Sequence, residues 1–301
     1  MAKIYVTRQF IQSRPQVQGV IDRRQVHFHF RPVRPADLMV SLDPVSREVN
    51  VMAGTYGPLS DDPFAVALHL HRSSHDSQRN VAQQPPGTQV VIALPGRNLI
   101  DQTWHAALPT PRGVNEADVA RLTLVPSKLV EPPSVAECPV NLECVVDAVY
   151  NSGGSDAVFC RVLGASIDEE ILGRDRLDLI REYPTHECDD VDNRWGGAVE
   201  RLSVLGEILP CPKFPCGPRA GTAGSFDAWL EELAEADLIN STELATLRRW
   251  TAQWQTIAQS ASAPGWEDLR RRLSRAIELV AWEEFGELRD YLASAEQREV
   301  R

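Results

Sequence analysis

The sequence predicts a mainly β protein, a barrel of short strands, with an α-helical domain at its C-terminus. Three observations point there. Over the first two-thirds, short apolar or alternating runs recur between Pro, Gly, Asp and Asn, the pattern of half-buried strands and turns. Few convincing helical periods interrupt them, which favours a barrel over a parallel sheet crossed by helices. Past the Pro/Cys/Gly-rich stretch Pro210–Pro218 the period changes to three and four residues.

Taken in order, the predicted strands are Val26–Phe30, Leu38–Leu42, Val49–Ala53, Ala65–His71, Gln89–Leu94, Leu142–Tyr150 and Val158–Ile167. Asp43-Pro44-Val45-Ser46 has turn chemistry, because proline presets φ at the second turn position. Asn115–Leu122 is a short helical candidate. Beyond residue 218, Ser225 can cap a helix that sets Phe226, Trp229, Leu230 and Leu233 on one face. Ser241 can cap a second, with Leu244, Leu247, Trp250, Trp254 and Ile257. A third follows Pro264-Gly265, with Trp266, Leu269, Leu273, Ile277, Val280, Phe285 and Leu288. Five of the seven tryptophans lie in this region, and their plainest role is the core of a helical unit. The division expected is therefore 1–218 for the barrel and 219–301 for the helices.

Composition bounds the function. With 301 residues, 43% of them hydrophobic, the chain can bury a proper core. A net charge of -11 argues against a nucleic-acid binder, since phosphate backbones are held by clustered Lys and Arg. It gives no support for docking on an anionic membrane. No run approaches the roughly 20 apolar residues of a membrane helix, and the N-terminus lacks a secretory signal pattern. Six scattered cysteines do not make a disulfide framework, so a cytoplasmic protein with buried thiols is expected.

From about Val26 to Leu209 the order of segments resembles the flavin reductase-like family of FMN-binding split β-barrels. Arg34-Pro35 leads into Leu38–Leu42, a turn and Asn50, like the family's opening. Met52-Ala-Gly-Thr-Tyr-Gly-Pro-Leu-Ser-Asp-Asp-Pro63 is similar to its small-residue segment. Ser73-Ser-His-Asp-Ser-Gln-Arg-Asn80 looks like its Asp-Thr-x-Arg-Asn element. Val90–Pro95, Ala136–Cys144 and Val158–Ile167 resemble its later strands. The resemblance implies an oxidoreductase that binds FMN, with FAD as the other flavin and NAD(P)H as co-substrate. It also implies a homodimer and, as a partner, a monooxygenase fed with reduced flavin.

The residues make chemical sense of this. A flat ring needs small residues that let backbone groups approach its polar edge, which Asn50, Ala53, Gly54 and Thr55 are expected to provide. A phosphate needs clustered donors and a cation, which suits Ser74, Ser77, Arg79 and Asn80. Gln78–Val81 can begin a helical turn with N–H groups aimed at an anion. Two departures stand out. The segment Asn50–Ser60 is one residue shorter than the family's, so either Asn50 or Gly54 is out of register; if Gly54 takes the family's serine position, a hydroxyl is missing there, with Thr55 beside it. The approach to the closing strand, Ser152–Ala157, lacks the family's frequent histidine.

The histidines suggest a second reading. His27 and His29 alternate on one predicted strand, His69 and His71 on another, with His75 beyond. We expect His69, His71 and His75 to be the candidates for acid–base work; a metal or haem is the further option, and a polar barrel face the bland one. On that reading the barrel is a specialised-metabolism enzyme that does not oxidise NAD(P)H and works through bound flavin, haem or its histidines. His186-x-Cys188 with Cys211-x4-Cys216 is too loosely spaced for a firm zinc site, and no metal is expected.

Overall fold

The computed structural model describes residues 34–71, 75–108, 110–151, 155–172, 185–189, 199–204, 207–208, 226–257 and 266–299. The predicted strand Val26–Phe30, with His27 and His29, lies outside them, as do Cys211, Cys216 and Ser74. Strands β1 (Arg34–Leu42), β2 (Val49–Asp61), β3 (Phe64–His71), β4 (Gln89–Leu94), β7 (Val140–Asn151) and β8 (Ser155–Ile167) run β1-β2-β3-β8-β7-β4. Pairing of Leu38, Met39 and Val40 with Ala93, Ile92 and Val91 joins β4 back to β1. The result is a closed six-stranded antiparallel barrel. β5 (Leu124–Val125) and β6 (Ser134–Val135) form a small ribbon, and β9 (Thr185–Asp189), β10 (Val199–Val204) and β11 (Glu207–Ile208) extend the sheet outward from β1.

Period-2 alternation sorts side chains into two layers. Met39, Val66, Leu68, Leu70, Val90, Ile92, Leu142, Cys144, Val158 and Cys160 fill the barrel. Leu38, Val40, Val51, Val91 and Ala93 point outward and are covered by Leu99, Ala106, Ala117, Ala120 and Leu122 of the segment between β4 and β5. That segment carries α1 (Ile100–His105) and α2 (Glu116–Val119), the latter capped by Asn115, whose Oδ1 accepts the Ala117 amide.

A third layer lies on top. Helices α3 (Phe226–Glu235), α4 (Ser241–Ile257), α5 (Trp266–Ala281) and α6 (Phe285–Glu299) bury Trp229, Leu230, Trp250, Leu273 and Ile277 among themselves, together with Leu108, Val114 and Val119 of the covering segment. The indole N–H of Trp282 donates to the Val119 carbonyl at 3.0 Å, while Arg121 pairs with Glu278 and Glu284 and lies over the Trp282 ring. His105 meets the edge of that ring at 4.4 Å, and burial pulls its pKa down to about 4.

Several local expectations need correction. β2 does not stop at Ala53 but runs through Gly57 and Pro58, because the proline sits at a register shift where a missing N–H does no harm. The cap of α4 is Asn240, not Ser241: its Oδ1 accepts the Thr242 and Glu243 amides, and Glu243 reaches back to the Asn240 amide. The expected third C-terminal helix is two. α5 ends where Glu283 enters the left-handed region at φ 57° and the Glu284 amide closes on the Leu279 carbonyl, a helix-ending motif that glycine usually fills. No glycine marks this break in the sequence.

One residue conflicts with its surroundings. Asp37 of β1 points into the barrel, is fully buried, and among the described residues neither carboxylate oxygen has a hydrogen-bond partner. Its cross-strand partner is Gly54, where a Cβ would stand 2.8 Å from Asp37 Oδ1, so the glycine makes room for the carboxyl. Burial raises the Asp37 pKa from 3.8 to about 8. The folded state thus holds this proton more tightly than the unfolded chain. Stability from this group is complete below pH 3.8 and is lost as pH rises through about 8. Asp37→Asn is therefore expected to raise the urea midpoint at about pH 9, with the gain shrinking toward about pH 5; an equal effect at both would contradict a neutral buried acid.

Candidate functional site

Among the described residues, the first half of β2 pairs with a strand on one side only. Val49–Thr55 pair with β1 from Leu42 to Ala36 without a break, but β3 joins β2 only from Tyr56 onward. The Val51 amide, which points away from β1, donates instead to Glu116 Oε2 at 3.2 Å. In an antiparallel strand alternate amides share an edge, so those of Ala53 and Thr55 face the same way as Val51. This edge is a short row of backbone donors and acceptors that the β3 ladder does not take up.

Beside it lies the link between β3 and β4. His75–Ser77 form a single helical turn that widens into the π-helical turn Gln78–Ala82. It is tied down by polar side chains at one end of the barrel: Asn50 Nδ2 donates to Ser77 Oγ at 3.1 Å, Asn80 Nδ2 to Ser41 Oγ at 3.5 Å, and Gln78 Nε2 to Asp156 at 2.7 Å. Arg79 remains on the rim. Its guanidinium bonds Asp76 at 2.8 Å and Asp43 at 2.7 Å, while its buried Nε has no hydrogen-bond partner among the described residues.

Asp43 organises this rim. Its Oδ1 accepts the Val45 and Ser46 amides, which builds the predicted turn, and its Oδ2 takes Arg79 and, at 3.3 Å, Arg112. Burial pushes the Asp43 pKa up, but the two amides and the Arg79 charge outweigh it and hold the carboxyl at about 2. Glu116 behaves oppositely. Burial raises it to about 7, against the opposing bonds from Thr110, at 2.8 Å, and Val51. A carboxyl that exchanges its proton near neutrality thus borders the open edge.

The structure brings Asn50, Ser77, Arg79 and Asn80 together, with Ala53, Gly54 and Thr55 further along the same strand. Asn50 and Asn80 are buried and serve the anchoring of the turn. Gly54 turns its missing side chain toward Asp37, leaving only its backbone for a ligand. His69 is exposed on the outer face of β3, opposite Leu68 and Leu70. His71 closes β3 opposite Ser155 and His75 opens the helical turn. Cys138, Cys144 and Cys160 are buried and unpaired, and burial raises all three thiols, Cys160 to about 12. Among the described residues no cluster of His, Cys, Asp or Glu could hold a metal, and no helix is long and apolar enough to cross a membrane.

Sequence reasoning did not single out Asp37, Asp43, Glu116 or Arg112. A usable signal existed for Asp37, an acid between Ala36 and Leu38 in an otherwise apolar strand. Asp43 was legible only as a turn former. Nothing in the spacing of Glu116 or Arg112 points to β2, which lies more than fifty residues away in the chain.

The donor set suits a phosphorylated ring compound: an open backbone edge for the polar rim of a ring, then a hydroxyl and guanidinium turn for a phosphate. The family model "Flavin reductase like domain" matches residues 34–185. An uncharacterized protein of Pyrococcus abyssi is 31% identical over 142 residues, 46% of this chain and 78% of the relative. One from Halalkalibacterium halodurans is 31% identical over 157 residues, 50% of this chain and 74% of the relative. Among solved structures, nitrilotriacetate monooxygenase component B from Bacillus cereus superposes with TM-score 0.53 at 16% identity, over 70% of this chain and all of that one. A split barrel protein from Shewanella frigidimarina, described as a flavin reductase, gives 0.51 at 12% identity, over 69% of this chain and all of that one. At these identities the structures establish the fold alone.

The rim makes a direct prediction. Asp43→Asn should lower stability at neutral pH by about 1–3 kcal/mol, because Arg79 loses the more buried of its two charged partners. The Asp43 carboxyl is held below its ordinary value, so its stabilisation is present above pH 3.8 and lost as pH falls through about 2. In urea titrations the gap between variant and wild type should close across that window; a gap of constant size would contradict the ion pair as its source.

Proposed function

Because this chain belongs to the flavin reductase-like family, we propose that it is an FMN-binding oxidoreductase that takes hydride from NAD(P)H and hands reduced flavin to a separate monooxygenase. The observation that carries this reading is the open edge of β2 beside the Ser77–Arg79 turn. FMN uses both halves of that arrangement, and FAD would share them.

On this reading the amides of Ala53 and Thr55 hold the ring's polar edge, with the Gly54 backbone between them. Ser77 and Arg79 take the phosphate, Arg79 being oriented by Asp43 and Asp76 from behind. Bound flavin supplies a two-electron acceptor that returns the electrons to a second substrate. The chain's own part is to bind, to orient and to keep a titrating carboxyl, Glu116, next to the ring edge. On the same reading Ser74 and Asn80 belong with the phosphate site, and His69, His71 and His75 are the acid–base candidates. The same reading makes the protein a cytoplasmic homodimer. Leu59 and Phe64, exposed on the β2–β3 hairpin, offer apolar contact surface for the second copy.

The test is spectroscopic. Protein incubated with excess FMN and freed of unbound ligand should retain the visible absorbance of flavin and then consume NADH or NADPH. A colourless product would remove the flavin reading. Retained flavin without nicotinamide oxidation would remove the reductase activity and leave a flavoprotein of another reaction.

A further inference from the structure

The C-terminal helices reach the proposed phosphate turn through one exposed arginine. Pro111–Val114 is a tight turn closed by the Val114 amide on the Pro111 carbonyl at 3.0 Å, with Gly113 at φ +80° in its third position. Its tip is gripped from two sides. Trp254 of α4 donates its indole N–H to the Arg112 carbonyl at 2.5 Å. A Cβ on Gly113 would stand 2.9 Å from the Trp254 ring and 3.1 Å from Glu48, and Glu48 is itself held by Arg270 of α5 at 3.0 Å. Backbone at a loop tip is usually mobile; here it is clamped, and the Arg112 side chain projects from it.

That side chain points at the rim already described. Arg112 and Arg79 bond the same oxygen of Asp43, at 3.3 and 2.7 Å. Side-chain exposure rises from 8% at Asp43 through 26% at Arg79 to 63% at Arg112. The carboxylate therefore sits behind and the two guanidiniums in front, toward solvent. Asp43 is already satisfied by two amides and Arg79, so it does not need Arg112 as a partner. Three carboxylates behind two outward guanidiniums would be a poor anion site; here Glu48 is taken by Arg270 and Asp76 by Arg79, leaving Arg112 to face outward.

We propose that Arg112 is a second phosphate-binding cation beside Arg79, and that Trp254 is the positioning residue that sets it. This rests on the flavin reading above and adds that the C-terminal helices help build the phosphate site. Two guanidiniums braced by one carboxylate can share a phosphate ester's oxygens, each giving charge-assisted hydrogen bonds.

The experiment compares FMN with riboflavin, which has the ring and lacks the phosphate, by flavin fluorescence titration of the full chain. Wild type should bind FMN more tightly than riboflavin. Arg112→Ala should lose roughly tenfold or more in FMN affinity with riboflavin affinity unchanged. Arg112→Lys should recover part of the loss, and Trp254→Phe, which keeps the ring and drops the N–H, should fall between. Wild-type FMN affinity in Arg112→Ala, or an equal loss for both ligands, overturns the assignment while the flavin reading stands. Wild-type FMN affinity in Trp254→Phe overturns the positioning role. Failure of the wild-type chain to bind either ligand overturns the flavin reading and this inference with it.

Discussion

A strand paired on one side only must satisfy its other edge elsewhere. In β2 the break is abrupt: from Tyr56 the backbone bonds β3, and before it the same edge meets a side chain, Glu116, at Val51. Unsatisfied buried backbone groups cost about 1–3 kcal/mol each, so such an edge is held open only by surroundings that reward it. Small residues at Ala53 and Gly54 keep it accessible, and the Ser77 turn, bonded to Asn50 at its start, limits how far it extends. The rest of the architecture maintains this gap.

Layering explains how. The barrel interior fixes β1 and β2 through Met39 and its neighbours. The outer face carries the segment from Leu99 to Leu122, which brings Glu116 and Arg112 to the strand from afar in sequence. The C-terminal helices then lock that segment with Trp254, Trp282 and the Arg121 ion pairs. Exposed ion pairs contribute little singly, about 0–1 kcal/mol, but indole bonds to backbone carbonyls fix orientation as well as distance. Rigidity at the site is thus borrowed from a layer that reaches it through the Arg112 backbone.

Much of the barrel was legible in the sequence because strands with one buried face alternate, as in Gln89–Leu94, which matches its predicted bounds. Legibility failed where tertiary context overrode local signals. The predicted strand stops at Ala53, yet β2 runs on through Gly57 and Pro58, where a register shift follows the proline. Glu283 breaks a helix without a glycine. The Ser/Arg turn and the small-residue strand were visible as segments, and in the structure they touch where Asn50 bonds Ser77. The carboxylates that govern their charge, Asp43 and Glu116, were not, since their roles arise from burial and from partners distant in the chain.

Amide hydrogen exchange at the β2 edge tests the central claim most directly. With FMN added, the Ala53 and Thr55 amides should become markedly more protected while Val51, already bonded to Glu116, changes little. Unchanged exchange at both under saturating FMN would mean that the open edge is not where a flavin binds.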